Sequence, residues 1–258
     1  MPPVTMPVAP PTELTLPQPI ARGAKGKRVR CIQEWLGLNH FNVKIDGDYG
    51  PATAQAVRSF QLALGLPGTG TVDQDTMDAL AAPMLRALGR VDADGDLGQL
   101  VVAYARQHLA QGPREIGGPN GGPWVRLYLD GNEGSAWPWC AGFVSFILRQ
   151  AAAHAGVARP FTPTYSCDLL ASDARARDRF LADNRLAGQD PTRLLAPGSV
   201  FLQRRSAGDW VHTGLLTAAH GDTFETIEGN TNDSGDREGY EVCKRFRAYR
   251  KVDFALLS

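Results

Sequence analysis

Four side chains in the second half of the chain have the types and the order that acyl transfer requires: Cys140, His212, Glu228 and Asn230. A thiol attacks a carbonyl only as the thiolate, so it needs a base beside it, and that base needs a third group to fix its ring. Cys140 meets the first condition by its place in the chain. Pro138 cannot lie inside a helix, while Phe143, Val144, Ile147, Leu148 and Ala151 share one helical face. Cys140 therefore falls on or beside a helix N-terminus, where unpaired amides and the positive end of the dipole favour the thiolate. By itself this position suits a small buried hydrophobe equally well, and the downstream residues decide between the two.

After Pro197-Gly198 the run SVFLQ reads as a strand and RRSAGD as a turn. WVHTGLLTA is a second strand, AHGD a hairpin turn and TFETIEGNT a third strand. These are the signals of an antiparallel meander, with His212 on its central strand and Glu228 and Asn230 on the neighbour. Either can sit across from His212. Glu228 is the preferred orienter, since a carboxylate both fixes the imidazole tautomer and stabilises the imidazolium. An amphipathic helix starts at Leu97 and ends near Gly112, and the segment GGPNGGPW breaks regular structure before the cysteine. His40, His108, His154 and His220 have no acid pattern beside them and read as surface or capping residues. Trp124, Trp137, Trp139 and Trp210 read as core or groove walls, with sugar stacking a secondary role. There is no HxxxH, HExxH or paired-cysteine pattern, so neither a zinc site nor any other cofactor is expected.

The first third of the chain has a different character. Residues 1–20 form a Pro-rich extended lead, expected to be mobile. Residues 21–85 predict three short helices around one small core: one carrying Val29, Ile32 and Leu36, one opened by Pro51 and closed by Gly65, and one capped by Asp73. The basic group Arg22, Lys25, Lys27, Arg28 and Arg30 suits stem-peptide carboxylates or simple solvation. Residues 86–96 read as a linker. Asp92, Asp94 and Asp96 have the first spacings of a calcium loop, but Leu97 stands where its glycine belongs and Ala103 where its glutamate belongs. Residues 97–258 form the remaining domain. The fold class expected is α+β: a small helical domain, then helices packed on an antiparallel sheet.

Two resemblances attach functions to these parts. Gly23, Gly26, Val29, Gln33 and Leu36, the turn Asp46-Gly47-Asp48-Tyr49-Gly50, then Thr53, Val57, Phe60-Gln61, Gly65-Leu66, Gly70 and Val72-Asp73 resemble the three-helix peptidoglycan-binding domain of bacterial and phage wall enzymes. That resemblance implies glycan strands and stem peptides as the partner. Glu115, Gly117-Gly118, Asn120 and Gly122 ahead of Trp139-Cys140-Ala141, followed by His212-Thr213-Gly214 and Glu228-Gly229-Asn230, resemble the papain-like wall hydrolases of the CHAP and NlpC/P60 type. It implies a papain-like fold with Cys140 as nucleophile, His212 as base and then acid, and Glu228 or Asn230 as orienter. The chain departs from many such relatives at Ala136, where they carry an amide or hydroxyl that helps hold the oxyanion. The Cys140 amide, Ser135, Asn132 or a tryptophan NH are the substitutes available.

Together these readings imply a peptidoglycan hydrolase cutting an amide of the stem peptide or the muramoyl-L-alanine bond, in the manner of a phage endolysin. A contact-delivered antibacterial effector of the same chemistry and an acyltransferase on the same fold are the alternatives. Composition agrees: 27 basic residues balance 27 acidic ones, which favours neither nucleic acid nor an anionic membrane as partner. No apolar run is long enough to span a bilayer, and the N-terminus lacks the basic and apolar regions of a secretory signal. A monomer made in the cytoplasm, with its four cysteines as thiols and acting on the wall after release, is expected.

Overall fold

Val29, Ile32 and Leu36 fall on the buried face of α1 (Lys27–Leu38), Pro51 opens α2 (Pro51–Ala63), and the Asp73 carboxylate caps α3 (Gln74–Leu80) by accepting from the Thr76 amide. This is a computed structural model, which describes residues 6–232 and 239–257. Two buried glutamines set the turns between these helices. Gln33 accepts from the amides of Asp46 and Gly47 and donates to Asp46 and the Asp48 carbonyl, and Gln61 accepts from Gly70 and donates to the Thr71 carbonyl. Buried amide side chains need such partners, which is why each turn keeps one shape. A further helix, α4 (Ala82–Leu88), continues almost directly from α3.

In the second part, Asp96 and Gln99 form a reciprocal capping box that starts α5 (Leu97–Leu109). After α6 (Pro123–Tyr128) come α7 (Cys140–Ala155) and α8 (Cys167–Ala176). The strands are β1 (Phe180–Leu181), β2 (Val200–Ser206), β3 (Asp209–Ala219), β4 (Thr223–Thr231), β5 (Glu241–Ala248) and β6 (Val252–Ala255). They form one antiparallel sheet in the order β1-β6-β2-β3-β4-β5, so the fold is α+β. α7 and α5 pack on one face of the sheet. Phe201, Leu216, Phe224 and Phe254 fill a smaller cluster with Leu186 and Leu195.

The core does not stop at residues 86–96. Trp35 and Leu36 of α1 belong to the same apolar cluster as Trp124, Tyr128 and Phe143, and the Trp35 and Trp124 rings meet edge to face with centroids 6.2 Å apart. The described part of the Pro-rich lead, residues 6–20, is anchored where mobility was expected: Leu14 is buried, and Glu13 reaches Arg126 of α6. Arg126 is ringed by three carboxylates, Glu13 at 2.9 Å, Glu34 of α1 at 2.7 Å and Glu133 at 2.8 Å, with the Glu34 side chain wholly buried. A short stretch of polar chain with no periodicity gave no sign of this arrangement.

His108 is another departure from expectation. It is fully buried rather than superficial, with Nδ1 2.9 Å from the Tyr128 hydroxyl and Nε2 3.0 Å from Gln150 Oε1. Burial lowers its pKa to about 4, so it is a neutral imidazole whose Nε2–H donates to Gln150. Gln150 in turn donates to the Ala87 carbonyl, tying α4 to α5 and α7.

Candidate active site

Cys140 is the first residue of α7, as the helix pattern and Pro138 require, and it is buried at the floor of a groove. Trp139 fixes it there. The Trp139 amide donates to Asn230 Oδ1 at 2.9 Å, its indole N–H donates to Glu115 Oε1 at 2.8 Å, and its ring stacks on Tyr128 with centroids 5.5 Å apart. β4 approaches α7 at backbone distance: a methyl on Gly229 would lie 2.7 Å from the Trp139 ring and 2.8 Å from Phe143 Cβ. Asn230, with φ of 56°, turns the chain at that point. It thus positions the peptide before the cysteine.

His212 lies on β3, where the pairing with β2 shifts at Gln203 and Arg204. Its Nε2 lies 2.8 Å from Glu228 Oε2, while Nδ1 is buried with no conventional hydrogen-bond partner and has the Cys140 thiol as its neighbour. Glu228, fully buried, is gripped by both Nε and Nη2 of Arg247 on β5 and accepts from the Thr226 hydroxyl. Burial alone would raise the Glu228 pKa, but hydrogen bonds from Arg247 and His212 hold it down at about 2. For His212, burial works against the charged form, and the interactions with Cys140 and Glu228 outweigh it, giving about 9. The Cys140 pKa lies well below the ordinary thiol range, chiefly through a hydrogen bond with Cys167 and then through His212, against the cost of burial. Both shifts favour a thiolate beside an imidazolium.

One residue between them has to be small. Leu215 pairs with Ile227 across the β3–β4 ladder, so Glu228 passes over Gly214 to reach His212. A Cβ at Gly214 would stand 2.7 Å from the Phe201 ring and 2.8 Å from Glu228 Cγ. Gly214→Ala is expected to cost about 1–3 kcal/mol in stability by overpacking a central strand. It should also lower turnover of a Cys140 substrate at least about tenfold, because a carboxylate displaced by even 1 Å no longer aligns the imidazole. Urea denaturation and rate measurements on the purified variant check both; unchanged values in both would mean that Glu228 does not need this passage.

The groove over Cys140 has a volume of about 180 Å³ and is walled by Pro138, Tyr165, Cys167 and Trp210, with Arg205 and Asp209 at its rim. At Pro138 and Tyr165 it opens into a wider depression of about 480 Å³, where Trp137 and Leu169 are exposed. Trp137 is thus a groove wall, whereas Trp124 and Trp139 are core and Trp210 is nearly buried. Of the substitutes for an oxyanion donor at Ala136, several are committed elsewhere. Asn132 donates to the Leu129 carbonyl, the Trp139 indole to Glu115 and the Trp210 indole to Asp253. The Cys140 amide, among the first of its helix, has no partner within that helix. Among the described residues no group of three or more His, Cys, Asp or Glu side chains is placed to hold a metal ion, and no helix is long and apolar enough to cross a membrane.

Two members of the site escaped the sequence reading. Arg247 lies on a strand that also carries Lys244 and Arg245 and so looks like a solvated face. Cys167 opens α8, a helix marked only by Ser166 as cap ahead of Leu170, Ala171 and Ala174. Its thiol lies 3.8 Å from that of Cys140, and all four cysteines are free.

Similarity to known proteins concerns the first part of the chain. Over 59 residues it is 48% identical to the N-acetylmuramoyl-L-alanine amidase CwlL of Bacillus licheniformis, a match covering 20% of this chain and 16% of that protein. The chain therefore spans well under a fifth of this relative. The solved N-terminal domain of SleB is 39% identical, over 25% of this chain and 90% of that one, with a TM-score of 0.25. Residues 25–80 match the family model described as a putative peptidoglycan binding domain, and this chain carries a domain of that kind ahead of the Cys140 groove.

Proposed function

We propose that the protein is a peptidoglycan hydrolase of papain-like construction that cleaves an amide bond of the wall through a Cys140 thioester. The reading is carried by one observation: a thiol at the start of α7 faces a histidine whose other nitrogen is held by a buried, arginine-gripped carboxylate. The Cys140 thiolate adds to the carbonyl carbon, and the oxyanion is met by the first amides of α7. His212 gives its Nδ1 proton to the leaving nitrogen as the C–N bond breaks, leaving a thioester. A water then loses a proton to His212 Nδ1 and attacks the thioester carbonyl, and Cys140 departs as thiolate. Glu228 keeps the ring turned and stabilises its positive charge throughout, with Asn230 and Glu115 holding Trp139 and hence the nucleophile. The peptidoglycan-binding domain supports the wall as substrate, since tethering a site to a polymer raises local encounter without new contacts. Such an enzyme acts where that polymer is. A holin gene beside its own would mark it as a phage lysis enzyme, an immunity gene as a delivered effector.

A thiolate has no route to an oxocarbenium-like sugar centre, which calls for a carboxylate pair. Digestion of purified sacculi should therefore release new amino groups and no new reducing sugar ends. Mass spectrometry of the products then identifies the bond. Intact free stem peptides with bare glycan mean the muramoyl-L-alanine amide, and shortened stems still on sugar mean a bond within the stem or cross-bridge. New reducing ends in place of new amines would refute the mechanism.

A further inference from the structure

We propose that Cys167 is a working thiol of this site: with its Sγ 3.8 Å from Cys140 Sγ, it donates its S–H to the Cys140 thiolate in the resting protein and closes a disulfide onto Cys140 when a peroxide oxidises it. The proposal rests on the reading of Cys140 as a reactive thiolate. Three features set this pair apart from two cysteines packed by chance. The first is convergence: Cys140 opens α7 and Cys167 opens α8, so two helix N-termini bring their positive ends to the same pair of sulfurs. The second is anchoring. Ser166 caps α8 by accepting from the Leu169 amide, and Asp168 accepts the Trp210 amide at 2.8 Å, two residues along β3 from His212. The start of α8 is thereby tied to the strand that carries the base, which holds Cys167 in register with the thiolate. The third is access: both sulfurs line the 180 Å³ groove, so a small oxidant that reaches one meets the other.

The two thiols are also unequal. The Cys167 pKa is pushed well above the ordinary thiol range, first by its bond to Cys140 and then by burial, so it keeps its proton while Cys140 gives its own up. A protonated thiol beside a thiolate is a donor. Under oxidation the roles follow from the same inequality. The Cys140 thiolate attacks hydrogen peroxide, an S–O bond forms, the O–O bond breaks and hydroxide leaves, giving a sulfenic acid. Cys167 then attacks that sulfur: the S–S bond forms, the S–O bond breaks, and the departing hydroxide takes the Cys167 proton as water. The thiolate and the thiol together lose two electrons to one peroxide, giving one water and the hydroxide of the first step, which solvent protonates. Closing 3.8 Å to a disulfide length of about 2.05 Å asks only for a small shift of two helix ends. The disulfide silences the nucleophile while sparing it from irreversible sulfinic acid, and a dithiol restores it.

Two measurements that need no wall substrate test this on the full chain. The rate of Cys140 alkylation by iodoacetamide, followed by peptide mass spectrometry across pH, should be about tenfold lower in Cys167→Ala than in wild type at about pH 6, with Cys167→Ser close to wild type because its hydroxyl still donates. After one equivalent of hydrogen peroxide, the wild type should yield a Cys140–Cys167 cross-linked peptide that dithiothreitol reverses, whereas both variants should stop at Cys140 sulfenic acid, trapped by dimedone, and pass on to sulfinic acid when a second equivalent is added. Circular dichroism confirms that the variants are folded. An identical alkylation profile in wild type and Cys167→Ala, or peroxide oxidation of wild-type Cys140 without the cross-link, overturns the proposal. Sacculus lysis run in parallel separates the two readings: a cross-link with no lytic activity would leave the thiol pair standing and remove the hydrolase.

Discussion

Cys140→Ala should bind purified sacculi as the wild type does and lyse them no faster than buffer, a loss of at least about 10⁴-fold in turnover. Cys167, the other thiol in the groove, is kept protonated by burial and so is a poor acyl carrier, and the peptidoglycan-binding domain of residues 25–80 is untouched by the change. Glu228→Gln should come next in severity, at about 10³- to 10⁴-fold, since an amide can present a donor to His212 Nε2, reverse the tautomer and leave Arg247 without its anion. Asn230→Ala should cost less, about tenfold, because Asn230 steadies the Trp139 amide. A deeper fall for Asn230→Ala than for Glu228→Gln would reverse this order. The pH profile carries a sign. With His212 titrating at about 9, the imidazolium needed as acid persists through neutrality and turnover falls as pH rises through that value. On the acid side, activity should hold well below the ordinary thiol range and fail only when Cys140 protonates. The same linkage acts on stability. The raised His212 pKa contributes stability that is complete below about 6.5 and lost as pH rises through about 9, and the depressed Glu228 pKa contributes stability that is lost as pH falls toward about 2.

Arg126→Ala should destabilise the whole chain by about 3–5 kcal/mol, read by urea denaturation with intrinsic tryptophan fluorescence. The substitution strips Glu13, Glu34 and Glu133 of their shared cation and leaves the wholly buried Glu34 with Arg30 at 3.0 Å. Because Trp35 of α1 and Trp124 beside Arg126 lie in one core, wild type and variant alike should unfold in a single transition. Pairing Arg126→Met with Glu34→Gln should recover part of the loss, since a buried ion pair replaced on both sides costs far less than one left half-made. A variant as stable as wild type, or two separated transitions, would mean that the helical domain and the groove-bearing domain are independent. A single transition would mean that the domain of residues 25–80 and the Cys140 groove share one cooperative core.

The residues that carry local signals are legible in the sequence. Pro138 and the apolar stripe after Cys140 placed the thiol at a helix start, and alternation with turn residues put His212 and Glu228 on neighbouring strands, because helix caps and strand periodicity are written within a few residues. At that level carboxylate chemistry favoured Glu228 over Asn230, but the sequence alone does not place either against His212. Their placement depends on register: Glu228 passes over the bare backbone of Gly214 to His212, while Asn230 faces Trp139. Arg247, Cys167 and Arg126 were invisible for a related reason. Each acts on a partner far along the chain, Glu228, Cys140 and Glu34, and a side chain whose role is set by a distant neighbour has no period or spacing of its own. The sequence determined which chemistry was possible and on which elements it sat. Only the packing of α8 and β5 around the sulfur and the carboxylate decided which groups tune it, since charge and hydrogen bonding act through space and not along the chain.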